Sequence, residues 1–90
     1  MDIEFLLNLM VEKGASDLHL IHNVPATLRI DGELISLSKD IFTERQIRVY
    51  LDSLLEDETK KKRFYLEKEL DFAYELKGRA RFRINAYFQR

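Results

Sequence analysis

Polar and hydrophobic residues alternate along the last stretch of the chain. From position 80 to 88, small or apolar side chains occupy the even positions and polar side chains the odd ones. A period of two predicts a β-strand with one buried face. The other face begins with Arg79, Arg81 and Arg83, so we expect it to meet anions or an acidic partner. The alternative is an ordinary exposed strand, on which Asp71 and Glu75 neutralise two of the three arginines.

The preceding strand, residues 70–76, alternates in the same way and must join the arginine strand through a turn that contains Gly78. We predict a three-residue loop at positions 76–78 with Gly78 left-handed, because this loop keeps the apolar residues on one face. The facing pairs are then Leu70 with Ile84, Asp71 with Arg83, Phe72 with Phe82, Ala73 with Arg81, Tyr74 with Ala80, and Glu75 with Arg79. Arg81 has no acidic residue opposite, so we expect it to be the guanidinium most available to a group outside the domain.

The first half of the chain predicts a helix, a strand and a hairpin. Asp2 is suited to cap the helix and Gly14 to end it, and a short strand follows at residues 18–21. The expected apolar side of the helix consists of Phe5, Leu6, Leu9 and Met10. The Asp31-Gly32 pair predicts a two-residue hairpin turn. The expected facing pairs of this hairpin are Leu28 with Ile35, Thr27 with Ser36, and Ala26 with Leu37.

Two helices are predicted between the hairpins. Thr43 and Gln46 form a capping box, and an apolar stripe follows at helical spacing. The stripe consists of Ile47, Tyr50, Leu51, Leu54 and Leu55. Asp57 begins a second helix that continues to about Lys68 and contributes Phe64 to the core. The order of elements predicts a single α+β domain over residues 1–90, with a mostly antiparallel sheet and helices on one side.

The amino-acid composition limits the classes of function that the chain can have. Lys+Arg 15 nearly balances Asp+Glu 16, so overall charge gives no indication of nucleic-acid binding. The basic run at positions 60–63 is interpreted as a helix surface, with Glu56 and Glu58 pairing with Lys60 and Lys62. Cysteine is absent, no apolar run approaches the ~20 residues of a membrane span, and a cytoplasmic protein is expected.

Few residues here are arranged for catalysis. The three glycines are far apart and build no GxxxxGK[ST] phosphate loop. His19 and His22 would point to opposite faces of a strand, so no metal site is expected, and His19 is expected to fix the loop after the first helix through a hydrogen bond. Asp17 and Asp31 are interpreted as turn residues.

Four short sequence segments resemble those of a known protein family. They are GASDLHL (residues 14–20), PATLRIDGEL (25–34), ELDFAYEL (69–76) and GRARFRINAYFQR (78–90). In this order and spacing they resemble the N-terminal domain of the PilT-type retraction ATPases of type IV pili, within the wider family of secretion ATPases. The resemblance covers essentially the whole chain and implies a PAS-like fold.

The resemblance also implies a role for the arginines. In this family a RecA-like catalytic domain follows, six chains form a ring, and ATP with Mg²⁺ lies between the two domains. Arg81 and Arg83 match the family's RFR motif, and Arg90 resembles a further arginine that follows this motif in the family. These three arginines are therefore expected to contact nucleotide phosphates. Arg79 is outside the family pattern and is expected to pair with Glu75.

The resemblance further implies partners and a location. The expected partners are the RecA-like domains of the same and neighbouring subunits and the inner-membrane platform protein of the pilus, with no nucleic acid. The protein is expected to be peripheral to the inner membrane. Because the chain stops inside a strand pattern, we expect it to be the first part of a longer ATPase and not catalytic by itself. The alternative is a free-standing PAS-like sensor or adaptor that binds a small ligand or a protein.

Overall fold

The computed structural model describes residues 2–88, which form three helices and a five-stranded sheet. The elements in chain order are α1 (Ile3–Lys13), β1 (Asp17–Ile21), β2 (Pro25–Ile30), β3 (Glu33–Ile41), α2 (Glu44–Leu54), α3 (Glu58–Glu67), β4 (Glu69–Leu76) and β5 (Ala80–Tyr87). The predicted α+β class is confirmed. No helix within residues 2–88 is long and apolar enough to cross a membrane.

The strands are ordered β3-β2-β1-β5-β4. Three neighbouring pairs are antiparallel, and β1 and β5 run parallel. A parallel pair needs a long connection, which the two helices α2 and α3 and the other strands supply here. The arginine strand β5 is therefore an interior strand, paired on both edges, and β3 and β4 form the edges of the sheet.

Local capping signals set the ends of the helices. The Oδ1 atom of Asp2 accepts the backbone N–H of Phe5 at 2.8 Å, and Gly14 ends α1 with φ 66°. The predicted capping box is present, since Thr43 and Gln46 each bond the other's backbone N–H. Asp57 caps α3 by accepting two backbone N–H groups. These predictions are confirmed.

The buried side of α1 differs from the predicted one. Leu6, Leu7 and Met10 are buried, whereas Phe5 is 53% exposed. The helix is thus rotated so that Leu7 takes the place expected for Phe5. For α2 the whole predicted stripe is buried, and in α3 Phe64 is fully buried.

The Asp31-Gly32 turn is confirmed, with positive φ at both residues. The facing pairs Leu28–Ile35 and Thr27–Ser36 are also as predicted. The Ala26–Leu37 pair was a wrong prediction, because the register shifts between Pro25 and Thr27 and Pro25 lies opposite Ile41. Between the Thr27–Ser36 and Pro25–Ile41 pairs, β3 has four residues and β2 has one, so the extra residues of β3 form a β-bulge there.

The predicted register of the second hairpin is wrong by two residues. The loop is Lys77-Gly78-Arg79, and the N–H of Arg79 donates to the carbonyl of Leu76 at 2.9 Å. The observed pairs are Leu70 with Ala86, Asp71 with Asn85, Phe72 with Ile84, Ala73 with Arg83, Tyr74 with Phe82, Glu75 with Arg81, and Leu76 with Ala80. A slip of two residues keeps every side chain on its own face, so hydrophobic alternation fits both registers equally well.

All helices contribute to one core on one face of the sheet. The buried strand residues are Leu18, Leu20, Ala26, Leu28, Leu70, Phe72, Phe82, Ile84 and Ala86. They occupy alternate strand positions and pack with the buried residues of α1, α2 and α3. The intervening strand positions are exposed or partly buried, so the opposite face of the sheet is left open.

Candidate functional site

The candidate site is the open face of the sheet, opposite the helices. We define the open face by the outward side chains of its four central and edge strands: Asp71, Ala73 and Glu75 of β4, Arg81, Arg83 and Asn85 of β5, Asp17 and His19 of β1, and Thr27 and Arg29 of β2. Acidic and basic side chains alternate across neighbouring strands. This arrangement presents guanidinium groups to solvent from a rigid platform.

Arg81 lies opposite Glu75 in the β4–β5 pair. It was predicted to face Ala73, and the two-residue register error accounts for the difference. Its side chain is exposed. Within residues 2–88, Arg81 makes no hydrogen bond and no ion pair within 4.0 Å, Glu75 included. The guanidinium of Arg81 is therefore available, although the reason is not the one that the sequence suggested.

Arg83 lies opposite Ala73, yet it contacts Asp71, which is two positions along β4 and on the same face. Its Nη2 atom is 3.9 Å from Oδ2 of Asp71, and its side chain is 67% exposed. An exposed pair at this distance contributes roughly 0–1 kcal/mol. Asp71 also accepts a hydrogen bond from Asn85 at 3.2 Å, so its carboxylate is shared. The contact can be exchanged for a stronger one with an incoming anion.

Asp17 and Arg29 also join this face. Asp17 was interpreted as a turn residue, which was wrong, because it is the first residue of β1; no role was predicted for Arg29. Asp17 lies opposite Arg83 on one side and opposite Arg29 on the other, which forms a row of alternating charge across three strands. The hydroxyl of Ser16 donates to Oδ2 of Asp17 at 2.6 Å, and Nη1 of Arg29 donates to the carbonyl of Gly32 at 2.9 Å. The sequence gives no local signal for this row, because it depends on the parallel pairing of strands more than sixty positions apart.

Two further arginines were singled out by the sequence, Arg79 and Arg90. Arg79 does not pair with Glu75, which was a wrong prediction; its Nη1 atom donates to Oδ1 of Asn8 in α1 at 2.6 Å. Arg79 lies in the hairpin loop, and this bond fastens the loop to the first helix. Arg90 was also predicted to contact phosphates, and it lies outside the described residues.

His19 occupies the middle of the open face, between Thr27 and Asn85. Its Nε2 atom is buried and has no hydrogen-bond partner within residues 2–88. The expected hydrogen bond to the loop after α1 is therefore absent at this nitrogen. His22 packs elsewhere, with its ring edge-on to Phe88 at 5.7 Å between centroids. Among the described residues, no group of three or more His, Cys, Asp and Glu side chains could hold a metal ion.

The basic run of α3 forms surface ion pairs, but not those predicted. Lys61 lies 3.4 Å from Glu58 and 3.9 Å from Asp52, and Arg63 lies 3.2 Å from Glu67. The expected pairs of Lys60 with Glu56 and of Lys62 with Glu58 are not among the ion pairs of residues 2–88. Lys60 and Arg63 of this run lie beside the edge strand β4, where they line one cleft together with Asp71 and Asn85 of the open face.

The end of β5 is held by an aromatic cluster on the helical side. Phe88 is buried, contacts Phe64 at 4.7 Å between ring centroids, and lies 5.2 Å from the guanidinium of Arg48. Tyr65 donates its hydroxyl to Oδ1 of Asp52 at 3.2 Å. Burial raises the pKa of Tyr65, and the charge of Asp52 raises it further. This cluster fixes the position of Phe88, the last described residue.

The comparison with known proteins gives a consistent result. No protein-family model matches the chain. It is 36% identical over 89 residues to the type IV pilus retraction ATPase PilT of Pseudomonas aeruginosa, and 34% identical over 90 residues to the type IV pilus ATPase PilU of the same organism. The crystal structure of the pilus retraction motor PilT with bound ADP superposes with a TM-score of 0.74 at 28% identity, over 100% of this chain.

The chain matches the N-terminal domain of the PilT-type pilus ATPases. The two alignments include 99% and 100% of this chain. They include only about a quarter of each relative, 26% of PilT and 23% of PilU. The PilT-type domain described here contains the open face and its arginines. What the rest of a PilT-type chain adds must therefore be proposed.

Proposed function

We propose that this PilT-type domain is the first part of an ATPase that works in a type IV pilus or a related secretion machine, and that its open face helps to hold the phosphates of ATP. Arg81 and Arg83 are the contacts, with Arg90 as a third. The observation that carries the proposal is the exposed guanidinium of Arg81, which no group of residues 2–88 neutralises. An exposed guanidinium without an internal acceptor is suited to an external anion.

The remaining parts of the nucleotide site lie outside this chain. The sequence has no phosphate loop, and the described residues offer no cluster suited to Mg²⁺. A RecA-like domain with a phosphate loop and Mg²⁺ is proposed to supply both, with nucleotide between the two domains. The domain by itself would neither bind ATP tightly nor hydrolyse it. The related PilT structure holds ADP, which supports nucleotide use by the full-length protein.

The proposal extends to assembly. We infer a homo-hexameric ring in which this domain packs against catalytic domains of its own and neighbouring subunits. The ring would work in the cytoplasm, peripheral to the inner membrane and next to the pilus platform protein. The support for this part is the similarity to PilT and PilU over the whole chain, and whether the motor retracts, extends or secretes is left open.

The test is ATP turnover of the full-length protein with single arginine substitutions. Arg81→Ala and Arg83→Ala should each lower kcat/KM by roughly tenfold to a hundredfold, the scale of one lost hydrogen bond to a charged group. Arg79→Ala is the matched control, because that guanidinium lies on the same hairpin and is bound to Asn8. Unchanged turnover in both open-face variants would remove them from the nucleotide site.

The alternative function, a free-standing sensor or adaptor, is favoured by one feature. An apolar groove of about 580 Å³ runs between α1 and the edge strand β3, lined by Phe5, Leu9, Ile35 and Leu37 among others. A small apolar ligand or a peptide would fit such a groove. If the coding sequence continued past Arg90 into a GxxxxGK[ST] motif, the ATPase would be supported, and a stop codon there would favour the sensor.

A further inference from the structure

The inference concerns β3, which forms one of the two edges of the sheet. It is nine residues long, and within residues 2–88 no strand pairs with its outer edge. The opposite edge strand, β4, is flanked by Lys60 and Arg63 of α3. A long edge strand with unpaired backbone groups is a template for a further strand.

The backbone groups that point outward from β3 can be assigned. The carbonyl of Arg29 accepts the N–H of Ser16 at 2.9 Å, so the backbone of Arg29 is directed towards β1. Leu34 lies opposite Arg29, and its own N–H and carbonyl therefore point away from β2. Because this direction alternates along an antiparallel strand, Ser36 also presents its backbone groups at the free edge.

Apolar side chains accompany this edge. Leu34 and Ile35 are 57% and 41% exposed. Ile35 and Leu37 line the apolar groove beside α1, together with Phe5, which is 53% exposed. Exposed apolar groups beside an unpaired strand edge favour a partner that adds a strand and covers the groove at the same time.

We propose that this partner is a second copy of the chain, whose β3 pairs antiparallel with β3 of the first copy about a two-fold axis at Ser36. In this register Ser36 lies opposite Ser36, Ile35 opposite Leu37, and Glu33 opposite Lys39. The symmetry makes each of the last two pairs occur twice. The contact is thus self-complementary in charge and in hydrophobicity.

The positions of the two charges select this register. The two neighbouring registers also bring outward-pointing backbone groups together, so hydrogen bonding alone does not decide among the three. One of them places Glu33 opposite Leu37, and the other places Lys39 opposite Ile35. Each leaves a charge against an apolar side chain of the groove, which costs free energy.

The contact is small and separate from the proposed ring. A β-bulge follows Ser36, so regular pairing is confined to the middle of β3, and one strand with two groove rims lies at the small end of specific interfaces. The dimer is therefore expected at high protein concentration. Because a two-fold contact closes with two copies, it goes beyond the proposed function and does not depend on it.

A single cysteine in the 90-residue chain tests the position of the axis. The chain has no cysteine, so a disulfide in Ser36→Cys must join two copies. Facing residues of a hydrogen-bonded antiparallel pair have Cα atoms about 5.5 Å apart, which suits a disulfide. The matched control is Ser38→Cys on the same strand, where the two cysteines would lie about 14 Å apart along the strands.

Oxidation in air, followed by non-reducing electrophoresis, gives the rate of disulfide formation. After correction for the reactivity of each thiol with iodoacetamide, the rate in Ser36→Cys should exceed that in Ser38→Cys by about tenfold or more, because only the first pair satisfies disulfide geometry. Equal rates, or a faster rate in Ser38→Cys, would overturn the proposed axis.

Charge reversal tests the occupant and the register together. No ion pair within residues 2–88 involves Glu33 or Lys39, so their substitution breaks no internal pair. Glu33→Lys and Lys39→Glu each place like charges opposite one another twice, and each should raise the dissociation constant of the dimer about tenfold. The double variant restores both pairs and should return the constant to the original value.

Sedimentation equilibrium of the 90-residue chain measures these constants, with circular dichroism to confirm that each variant is folded. The mass of the unsubstituted chain should rise with concentration from 10.8 kDa towards twice that value. A chain that stays monomeric at every concentration, or a double variant as weak as the single ones, would overturn the proposal. Neither residue belongs to the open face, so such a failure leaves the proposed arginine contacts untouched.

Discussion

The Nη2 atom of Arg83 lies 3.9 Å from Oδ2 of Asp71 on the open face of the sheet. Both side chains are more than half exposed, so water screens their attraction and the pair contributes little to the free energy of folding. The pair matters for anion binding, because a phosphate that approaches Arg83 must displace the carboxylate of Asp71.

The first prediction follows from this competition. Asp71→Asn removes the competing charge and keeps the size of the side chain, so the full-length protein should bind ATP more tightly, with a KM lower by about two- to fivefold, the scale of an exposed ion pair. Steady-state ATP turnover measures it. The control is Glu44→Gln, which breaks an exposed pair of the same length, 3.9 Å, with Arg48 on α2 and should leave KM unchanged. A higher KM in Asp71→Asn would show that the carboxylate assists binding.

The second prediction concerns the pH dependence of Tyr65. Burial first, and then the charge and hydrogen bond of Asp52, raise the pKa of Tyr65 above its ordinary value of 10.0. A pKa that is higher in the folded state gives stability that is fully present below pH 10 and is lost as the pH rises through the folded pKa. Asp52→Asn should therefore lower the pKa of Tyr65 and make this loss of stability smaller.

Ultraviolet absorbance of tyrosinate during alkaline titration measures the shift, with Tyr65→Phe identifying the contribution of Tyr65. Arg48 acts in the opposite direction and lowers the pKa of the same tyrosine, so Arg48→Met should raise it. If Asp52→Asn left the titration unchanged, the hydrogen bond between Tyr65 and Asp52 would not contribute to the pKa of Tyr65.

The third prediction concerns the core under α3. Phe64 is fully buried and packs edge-on against Phe88. Phe64→Ala should lower the free energy of unfolding by about 3–5 kcal/mol, since it removes a large buried side chain and leaves a cavity. Urea unfolding followed by circular dichroism measures it. Leu66→Ala, two positions along the same helix and largely exposed, should change stability by less than about 0.5 kcal/mol. Comparable losses in the two variants would contradict the assignment of the core face.

Local features of the fold could be read from the sequence because each depends on a few neighbouring residues. The Asp2 cap, the Thr43–Gln46 capping box and the Asp31-Gly32 turn all appear as predicted. They result from hydrogen bonds or backbone angles within four positions, so hydrophobic packing elsewhere does not need to be known.

The open face could be predicted only in part, because it depends on which distant strands are neighbours. The alternation of polar and apolar residues placed Arg81 and Arg83 correctly on one face of the sheet. It could not distinguish two hairpin registers that differ by two residues. Nothing in the sequence indicated that β1 pairs in parallel with β5, which brings Asp17 and His19 beside the arginines. The predicted pair of Arg79 with Glu75 failed for the same reason, since the two-residue shift places Arg79 in the hairpin loop, where it contacts Asn8.

The central claim is that guanidinium groups of the open face contact nucleotide phosphates, and the most direct measurement compares ATP with adenosine. Isothermal titration of the full-length protein gives the affinity for each ligand. Because Arg81 is proposed to contact only phosphate, Arg81→Ala should weaken ATP binding by about tenfold or more and leave adenosine binding unchanged. An equal loss for both ligands, or no loss for either, would contradict the account.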